Sequence, residues 1–244
     1  MEMAEKNTFV AAGLDRKTAQ ALLTKVLSDM GIAGERSDDS MASVHWLLFA
    51  CLAGKEKTTR ILEIGTFTGE TTAVIARLFP EAEIVTLDLP GDDPILRSTY
   101  QRLESAKFAA YEERLISNTS APNVKLIRRN SFFVPEIVEG RFDLVWVDGG
   151  HLYPEIAWDL CNAYHLLRPG GVLMCDDVIP DSNGLRDSYV SPDSHAVLRY
   201  ITERTHDPMW LFLKRIASEW SADPRERKYV ALLEKRMGAR NAVS

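Results

Sequence analysis

The spacing of apolar positions changes once along the chain, from a helical period to short continuous runs. Before Arg60, apolar side chains recur every three or four positions, which predicts two amphipathic helices. The first ends at Gly31, and the second begins at a cap on Ser40 and ends near Gly54. From Arg60 onward, fully apolar runs alternate with helical patterns; the runs are Ile61–Ile64, Ile84–Leu87, Val124–Ile127, Leu144–Val147 and Val172–Cys175.

Strands that are apolar on both faces and separated by helices are typical of a parallel sheet covered by helices on both sides. Two later runs, Trp210–Leu213 and Tyr229–Leu233, add two strands. We therefore predict an α/β fold of three layers, with a mostly parallel seven-stranded sheet and an N-terminal helical cap. The predicted boundaries are 1–57 for the cap and 58–244 for the sheet domain. The predicted helices between strands are Thr71–Phe79, Tyr100–Leu115 and Pro154–Leu167.

Composition limits the function. The chain has 244 residues, of which 45% are hydrophobic and 26% charged, as in soluble globular proteins. No apolar run approaches the roughly 18 residues that a membrane span needs. The net charge of -6 argues against nucleic acid, because phosphate binding depends on clustered Lys and Arg. Three cysteines without metal-type spacing indicate reduced thiols. We expect a cytoplasmic protein with a small-molecule partner, and a homodimer is possible.

The loop after the first strand has the features of a ligand-binding turn, since ligands bind outside the carboxyl ends of strands in such sheets. Gly65 and Gly69 allow the backbone to pass close to a ligand. Phe67 stands where a dinucleotide-binding loop has its second glycine, which argues against a pyrophosphate. Thr71 opens the next helix, whose free N–H groups could hold a carboxylate.

Polar residues follow the next two runs as well. Asp88 ends the second run, in a position to accept hydrogen bonds from two ribose hydroxyls. Asn130 and Ser131 follow the third run, and their short side chains could meet an adenine edge.

These residues, together with the turn Leu167–Gly171, resemble the class I S-adenosylmethionine-dependent methyltransferases, which have a Rossmann-like fold. The resemblance implies S-adenosylmethionine as cofactor. It implies that Gly65 and Gly69 pass the methionine part, that Asp88 holds the ribose and that Thr71 contacts the carboxylate. The predicted cofactor-binding residues are Glu63, Gly65, Thr66, Phe67, Gly69, Thr71, Asp88, Asn130 and Ser131.

Three carboxylates follow the fourth and fifth runs. Asp148 ends one run, and Asp176 and Asp177 end the other. At neighbouring strand ends they would repel one another unless protonated or neutralised by a cation. A hard divalent ion such as Mg²⁺ is the obvious counter-charge. We predict Asp148, Asp176 and Asp177 as metal ligands.

The positions of these three aspartates indicate a more specific resemblance within the family. Metal-dependent O-methyltransferases of the catechol and sugar types place one Asp after strand four and an acidic pair after strand five. The segment Asp148–Tyr153 is similar to a bacterial branch that acts on natural products, including macrolide and aminocoumarin sugars. In the catechol branch a lysine base lies three residues after the metal Asp, where this chain has His151.

The implied activity is methyl transfer to a hydroxyl of a vicinal diol, catechol or sugar of a secondary metabolite. His151 is the predicted general base and Asp148 the alternative. Collinear placement of the nucleophile and the methyl carbon would supply much of the acceleration. The segment 179–193 is a candidate lid, with Arg186 and Tyr189 as substrate contacts.

Three other functions stay open. One is a metal-independent methyltransferase in which Asp148 and Asp176 orient the substrate. The others are a nucleotide-binding module without transfer chemistry and, less favoured because of Phe67, a nicotinamide oxidoreductase.

Overall fold

The computed structural model describes residues 2–32, 43–55, 58–99, 102–180, 191–214 and 228–237. Within these ranges one seven-stranded sheet forms the centre of the molecule, as the apolar runs predict. The strands are β1 (Arg60–Ile64), β2 (Glu83–Asp88), β3 (Val124–Arg128), β4 (Phe142–Val147), β5 (Leu167–Val178), β6 (Met209–Leu213) and β7 (Tyr229–Glu234).

The order of the strands is β3-β2-β1-β4-β5-β7-β6. The pairs from β3 to β5 are parallel, but β7 runs antiparallel to both β5 and β6. The prediction of a mostly parallel sheet is therefore corrected to a mixed sheet with one antiparallel hairpin. Apolar runs do not carry strand direction, so the last two strands could not be oriented from the sequence alone.

Helices occupy both sides of this sheet. The bounds of the predicted helices Thr71–Phe79 and Pro154–Leu167 each differ by one residue from those in the structure. The predicted helix Tyr100–Leu115 begins and ends later in the structure, after a short separate helix. The residue Tyr100 and the predicted cap Ser40 lie outside the described residues. The helices are α1 (Glu2–Ala11), α2 (Arg16–Asp29), α3 (Ser43–Ala53), α4 (Glu70–Leu78), α5 (Pro94–Ser98), α6 (Ser105–Asn118), α7 (Val134–Ile137), α8 (Glu155–Leu166) and α9 (Asp193–Thr205).

The N-terminal helices share a hydrophobic core with one face of the sheet. Phe9, Leu23 and Phe49 belong to the same buried cluster as Ile61 and Trp146. The alternate strand residues face a second cluster, in which α8 and α9 pack on the other side. The predicted division at residue 57 stays a prediction. In the described residues no helix is long and apolar enough to cross a membrane.

Candidate functional site

The carboxyl ends of β1, β4 and β5 meet at one edge of the sheet. Ile64 pairs with Val147, and Val147 pairs with Cys175. Residues that follow these positions are therefore neighbours, which brings the glycine loop after β1 beside Asp148 and Asp176. The region predicted to bind the cofactor therefore lies next to the region predicted to carry out the transfer reaction.

The glycine loop is tied to Asp88. The backbone N–H of Phe67 donates to Asp88 Oδ2 over 2.8 Å, and Gly65 N donates to Leu87 O over 2.9 Å. Phe67 has a positive φ of 50° and its side chain is half exposed. Asp88 also accepts hydrogen bonds from Leu89 N at 2.8 Å and from the Tyr111 hydroxyl at 3.3 Å. Asp88 therefore holds the glycine loop through the backbone N–H of Phe67, at the end of β2 where the ribose is predicted to bind.

Burial raises the pKa of Asp88, although its backbone hydrogen bonds, Arg128 and Tyr111 oppose that shift. Tyr111 comes from α6, and no motif in the sequence marked it. Its hydroxyl is found only once α6 is placed against β2.

Glu63 lies inside the molecule rather than on the loop surface. It is fully buried, and its Oε2 accepts hydrogen bonds from Thr72 at 2.5 Å and from Thr86 at 2.6 Å. Thr66 lies 2.6 Å from Thr86 through their hydroxyl oxygens. Burial raises the pKa of Glu63 to about 8, against the lowering effect of the two threonine hydroxyls. Glu63 therefore joins β1, β2 and α4 beneath the loop.

This buried carboxyl predicts a pH-dependent stability. Because its pKa rises from 4.5 to about 8 on folding, the folded state binds the extra proton, and unfolding free energy falls as pH increases through that window. Glu63→Gln mimics the protonated form, so we expect it to match the wild type near pH 4.5 and to exceed it above pH 8 by a few kcal/mol (about 1.4 kcal/mol for each pKa unit). Urea denaturation across this range tests the difference. Parallel curves for both proteins would contradict it, and the exposed Glu81→Gln is the control.

Thr71, the predicted carboxylate contact, lies in the first turn of α4, which begins after Gly69 at a φ of 77°. Trp46 from α3 donates its indole N–H to the Thr71 hydroxyl over 3.1 Å. His45 Nε2 lies 3.5 Å from the same oxygen, and the His45 ring stacks on Trp146. The N-terminal helices therefore form one wall of the predicted cofactor site, a contribution that no motif indicated.

Asn130 and Ser131 lie at the end of β3. Asn130 Oδ1 accepts a hydrogen bond from Phe132 N at 2.8 Å and so caps the short turn that follows. Trp158 of α8 donates to Ser131 O over 3.3 Å and stacks on Phe132 with ring centroids 5.0 Å apart. Both rings are partly exposed, so they offer an aromatic surface beside the predicted adenine position.

Asp148 and His151 form a pair at the end of the site where methyl transfer is predicted, which we call the chemical end. His151 Nε2 lies 3.7 Å from Asp148 Oδ1. Burial and the nearby charge of Asp176 raise the pKa of Asp148 to about 7, opposed by His151 and Lys214. Burial lowers the pKa of His151, but Asp148 and the other carboxylates outweigh it and raise the pKa overall. Both side chains are therefore candidates for the group that accepts the proton of an acceptor hydroxyl.

Two lysines form ion pairs in the acidic cluster, which consists of Asp148, Asp176 and Asp177. Lys214 Nζ donates to Asp177 Oδ1 over 2.7 Å and also to Asp176 Oδ2, while Lys228 Nζ donates to Asp177 Oδ2. Burial would raise the pKa of Asp177, but the two lysines and His151 lower it to about 2. The same carboxylates outweigh burial and raise the pKa of Lys214.

This arrangement does not fit the predicted Mg²⁺ ligand set. Both oxygens of Asp177 and one oxygen of Asp176 are held by ammonium groups. Within the described ranges, no three His, Cys, Asp or Glu side chains are grouped so that they could hold a metal ion. Lys214 follows β6 and Lys228 precedes β7 directly, which is a signal in the sequence, but only the strand order shows that they reach Asp176 and Asp177.

The candidate lid is described only at its ends. Arg186 and Tyr189 lie outside the described residues. At the far end, Asp193 opens α9 and accepts a hydrogen bond from Tyr153 N at 2.8 Å. The start of α9 is thus connected to the loop that carries His151.

Residues 62–178 match the family model described as a methyltransferase domain. No curated protein matches the chain.

Solved structures share the fold. The chain is similar to the O-methyltransferase TomG from Streptomyces achromogenes, involved in tomaymycin synthesis and solved with SAM, at 18% identity over 93% of this chain and 94% of that chain (TM-score 0.51). It is similar to cofactor-bound Rv0187 from MTB at 20% identity over 90% of each chain (TM-score 0.54). An O-methyltransferase from Bacillus cereus in complex with SAH matches at 18% identity over 88% of this chain and 91% of that chain (TM-score 0.52).

Proposed function

We propose that this chain, whose residues 62–178 match a methyltransferase domain, is a class I S-adenosylmethionine-dependent methyltransferase that methylates a hydroxyl group of a small molecule. The observation that carries the proposal is the close approach of the glycine loop to the backbone of Asp148, the alternative base. A Cβ built on Gly65 would lie 2.8 Å from Gly149 N and closer still to the carbonyl group of Asp148. The backbone of the predicted methionine-binding loop therefore touches the residue that begins the Asp148–His151 pair.

The proposed chemistry is an in-line displacement. Bound S-adenosylmethionine would supply the methyl group, and its positively charged sulfur would leave with the electron pair of the carbon–sulfur bond. His151, or Asp148 in its place, accepts the proton of the acceptor hydroxyl as the oxygen forms its bond to carbon. The pair lies in a partly enclosed site, where fixed orientation would contribute much of the acceleration.

We propose that the cofactor occupies the edge formed by β1, β2 and β3. Asp88 would hold the ribose, Thr71 the carboxylate, and Asn130 and Ser131 the adenine end. The half-exposed Phe67 ring and the Phe132–Trp158 pair would flank it. The acceptor would enter beside His151.

Metal assistance is the second candidate. Asp176 Oδ1 is buried and has no hydrogen-bond partner in the described part of the chain, so one ligand oxygen is available for Mg²⁺. The lysines on the remaining oxygens favour transfer without a metal. In that case the acceptor needs only one hydroxyl, since no chelation of two adjacent oxygens is required.

We also propose a secondary metabolite as the acceptor and a cytoplasmic location. The three cysteines are free in the structure, in keeping with a reducing compartment.

The test is a transfer assay with methyl-labelled S-adenosylmethionine. Catechol, a simple phenol and aniline serve as acceptors, each in excess chelator and again with Mg²⁺. The proposal predicts label on the oxygen of the hydroxyl acceptors with chelator present. Label on aniline alone would contradict hydroxyl transfer, and activity that appears only with Mg²⁺ would favour the second candidate.

A further inference from the structure

The counter-charge of the acidic cluster comes from the antiparallel hairpin. Since β7 is antiparallel to β5 and β6, the strands β5 and β6 run in the same direction. Tyr229 pairs with Val178 on one side and with Leu213 on the other. The residue after β6, Lys214, and the residue before β7, Lys228, therefore lie at the carboxyl edge beside Asp177.

The contacts of Lys214 resemble those of a bound cation. Its ammonium group bridges Asp176 and Asp177, and its side chain is only 13% exposed. Asp176 is itself buried, with 3% of its surface exposed. A buried carboxylate and a buried ammonium group are stable only when each has the other as a partner, because an unpaired buried charge is strongly unfavourable.

The two lysines balance most of the charge of the cluster without a metal. Asp148, Asp176 and Asp177 contribute up to three negative charges, and Lys214 and Lys228 contribute two positive charges. A divalent ion added to this set would leave an excess of positive charge, so it would have to displace an ammonium group.

We infer that the Lys214 ammonium group takes the place of a divalent cation, so that the site works with a cation built into the chain. This inference rests on the proposed function, because it assigns the cation of that same site. Lys214 acts as a positioning residue: it holds Asp176 and Asp177 in place and offsets their negative charge without a metal.

A direct consequence is that removal of Lys214 creates a metal site. Without its ammonium group, Asp176 and Asp177 present free oxygens beside Asp148, which is the type of ligand set that hard divalent ions prefer. The wild type should not bind such an ion, because ammonium groups already hold both oxygens of Asp177 and one oxygen of Asp176.

The experiment is a calorimetric titration of MnCl₂ into full-length protein saturated with S-adenosylhomocysteine. We expect no binding heat for the wild type at millimolar Mn²⁺ and close to one equivalent for Lys214→Ala and Lys214→Met, with affinity at least about tenfold tighter than for the wild type. Lys214→Arg restores the positive charge and should behave as the wild type does. Lys235→Ala is the matched control, because Lys235 is a half-buried lysine that donates to the carbonyl oxygens of Tyr164 and Leu167 instead of to carboxylates.

One equivalent of Mn²⁺ bound by the wild type would overturn the inference, as would failure of both Lys214 variants to gain binding. Circular dichroism monitors folding, and a variant that folds only when Mn²⁺ is present would support the inference. Lys214→Met keeps the apolar stem and so limits the loss of packing. The titration needs no methyl acceptor, so absence of transfer activity would count against the proposed function alone.

Discussion

Gly65→Ala is expected to abolish cofactor binding and to destabilise the fold by more than about 3 kcal/mol. Gly65 has a φ of 98°, where a side chain is strained, and its added Cβ would overlap the backbone of Asp148. Backbone cannot rotate away as a flexible side chain can, so β1 and β4 would have to separate at the site. A shift of about 1 Å there costs on the order of 100-fold in a precisely arranged site. Urea denaturation and titration with S-adenosylhomocysteine measure the two effects.

Gly31→Ala separates backbone strain from overlap. Gly31 also has a positive φ, 71°, but a Cβ on it would have no neighbour within 4 Å. This control should cost only about 1 kcal/mol and leave cofactor affinity unchanged. Equal losses of stability and of cofactor affinity in both variants would mean that the close approach of Gly65 to Asp148 is not the cause of the effect.

His151→Ala is expected to lower kcat by about 10² to 10⁴, the usual contribution of a general base, while the affinity for S-adenosylhomocysteine stays the same. The ring lies beside Asp148 and away from the Asp88 end of the site, so its loss should affect proton transfer and not cofactor binding. Steady-state rates with the best acceptor of the transfer assay, together with calorimetry, measure the two quantities.

Asp148→Asn and His165→Ala complete this test. A larger loss of kcat in Asp148→Asn than in His151→Ala would assign the base to Asp148 and make His151 its orienting partner. His165 is exposed at the end of α8, so His165→Ala should leave kcat unchanged. Full activity in His151→Ala would contradict a role for His151 in proton transfer.

The sequence was sufficient to predict the elements that are determined by local residue patterns. The apolar runs located all seven strands of the described sheet, and the glycine spacing located the loop after β1. The fold in this region depends on local rules: buried strands need apolar side chains, and tight turns need glycine. The predicted cofactor-binding residues belong to these local elements, and their roles stay predictions.

The rest depends on which distant segments meet. Lys214 and Lys228 are 38 and 51 residues from the carboxylates that they neutralise, and they reach them only through the antiparallel hairpin. Trp46 reaches Thr71 across 25 positions, because α3 packs on the sheet beside α4. Repulsion among carboxylates was correctly predicted to need a counter-charge, but the sequence could not show whether a metal or a lysine supplies it.

The most direct test of the whole account is a calorimetric titration of S-adenosylhomocysteine into the wild type and into Asp88→Ala, with NAD⁺ titrated in parallel. Asp88 holds Phe67 N at 2.8 Å and ends β2 at the predicted ribose position. We predict one equivalent of S-adenosylhomocysteine bound by the wild type, at least about a tenfold loss of affinity in Asp88→Ala, and no heat from NAD⁺. Binding that is indifferent to Asp88, or binding of NAD⁺ in place of S-adenosylhomocysteine, would contradict the assignment of this sheet edge as the cofactor site.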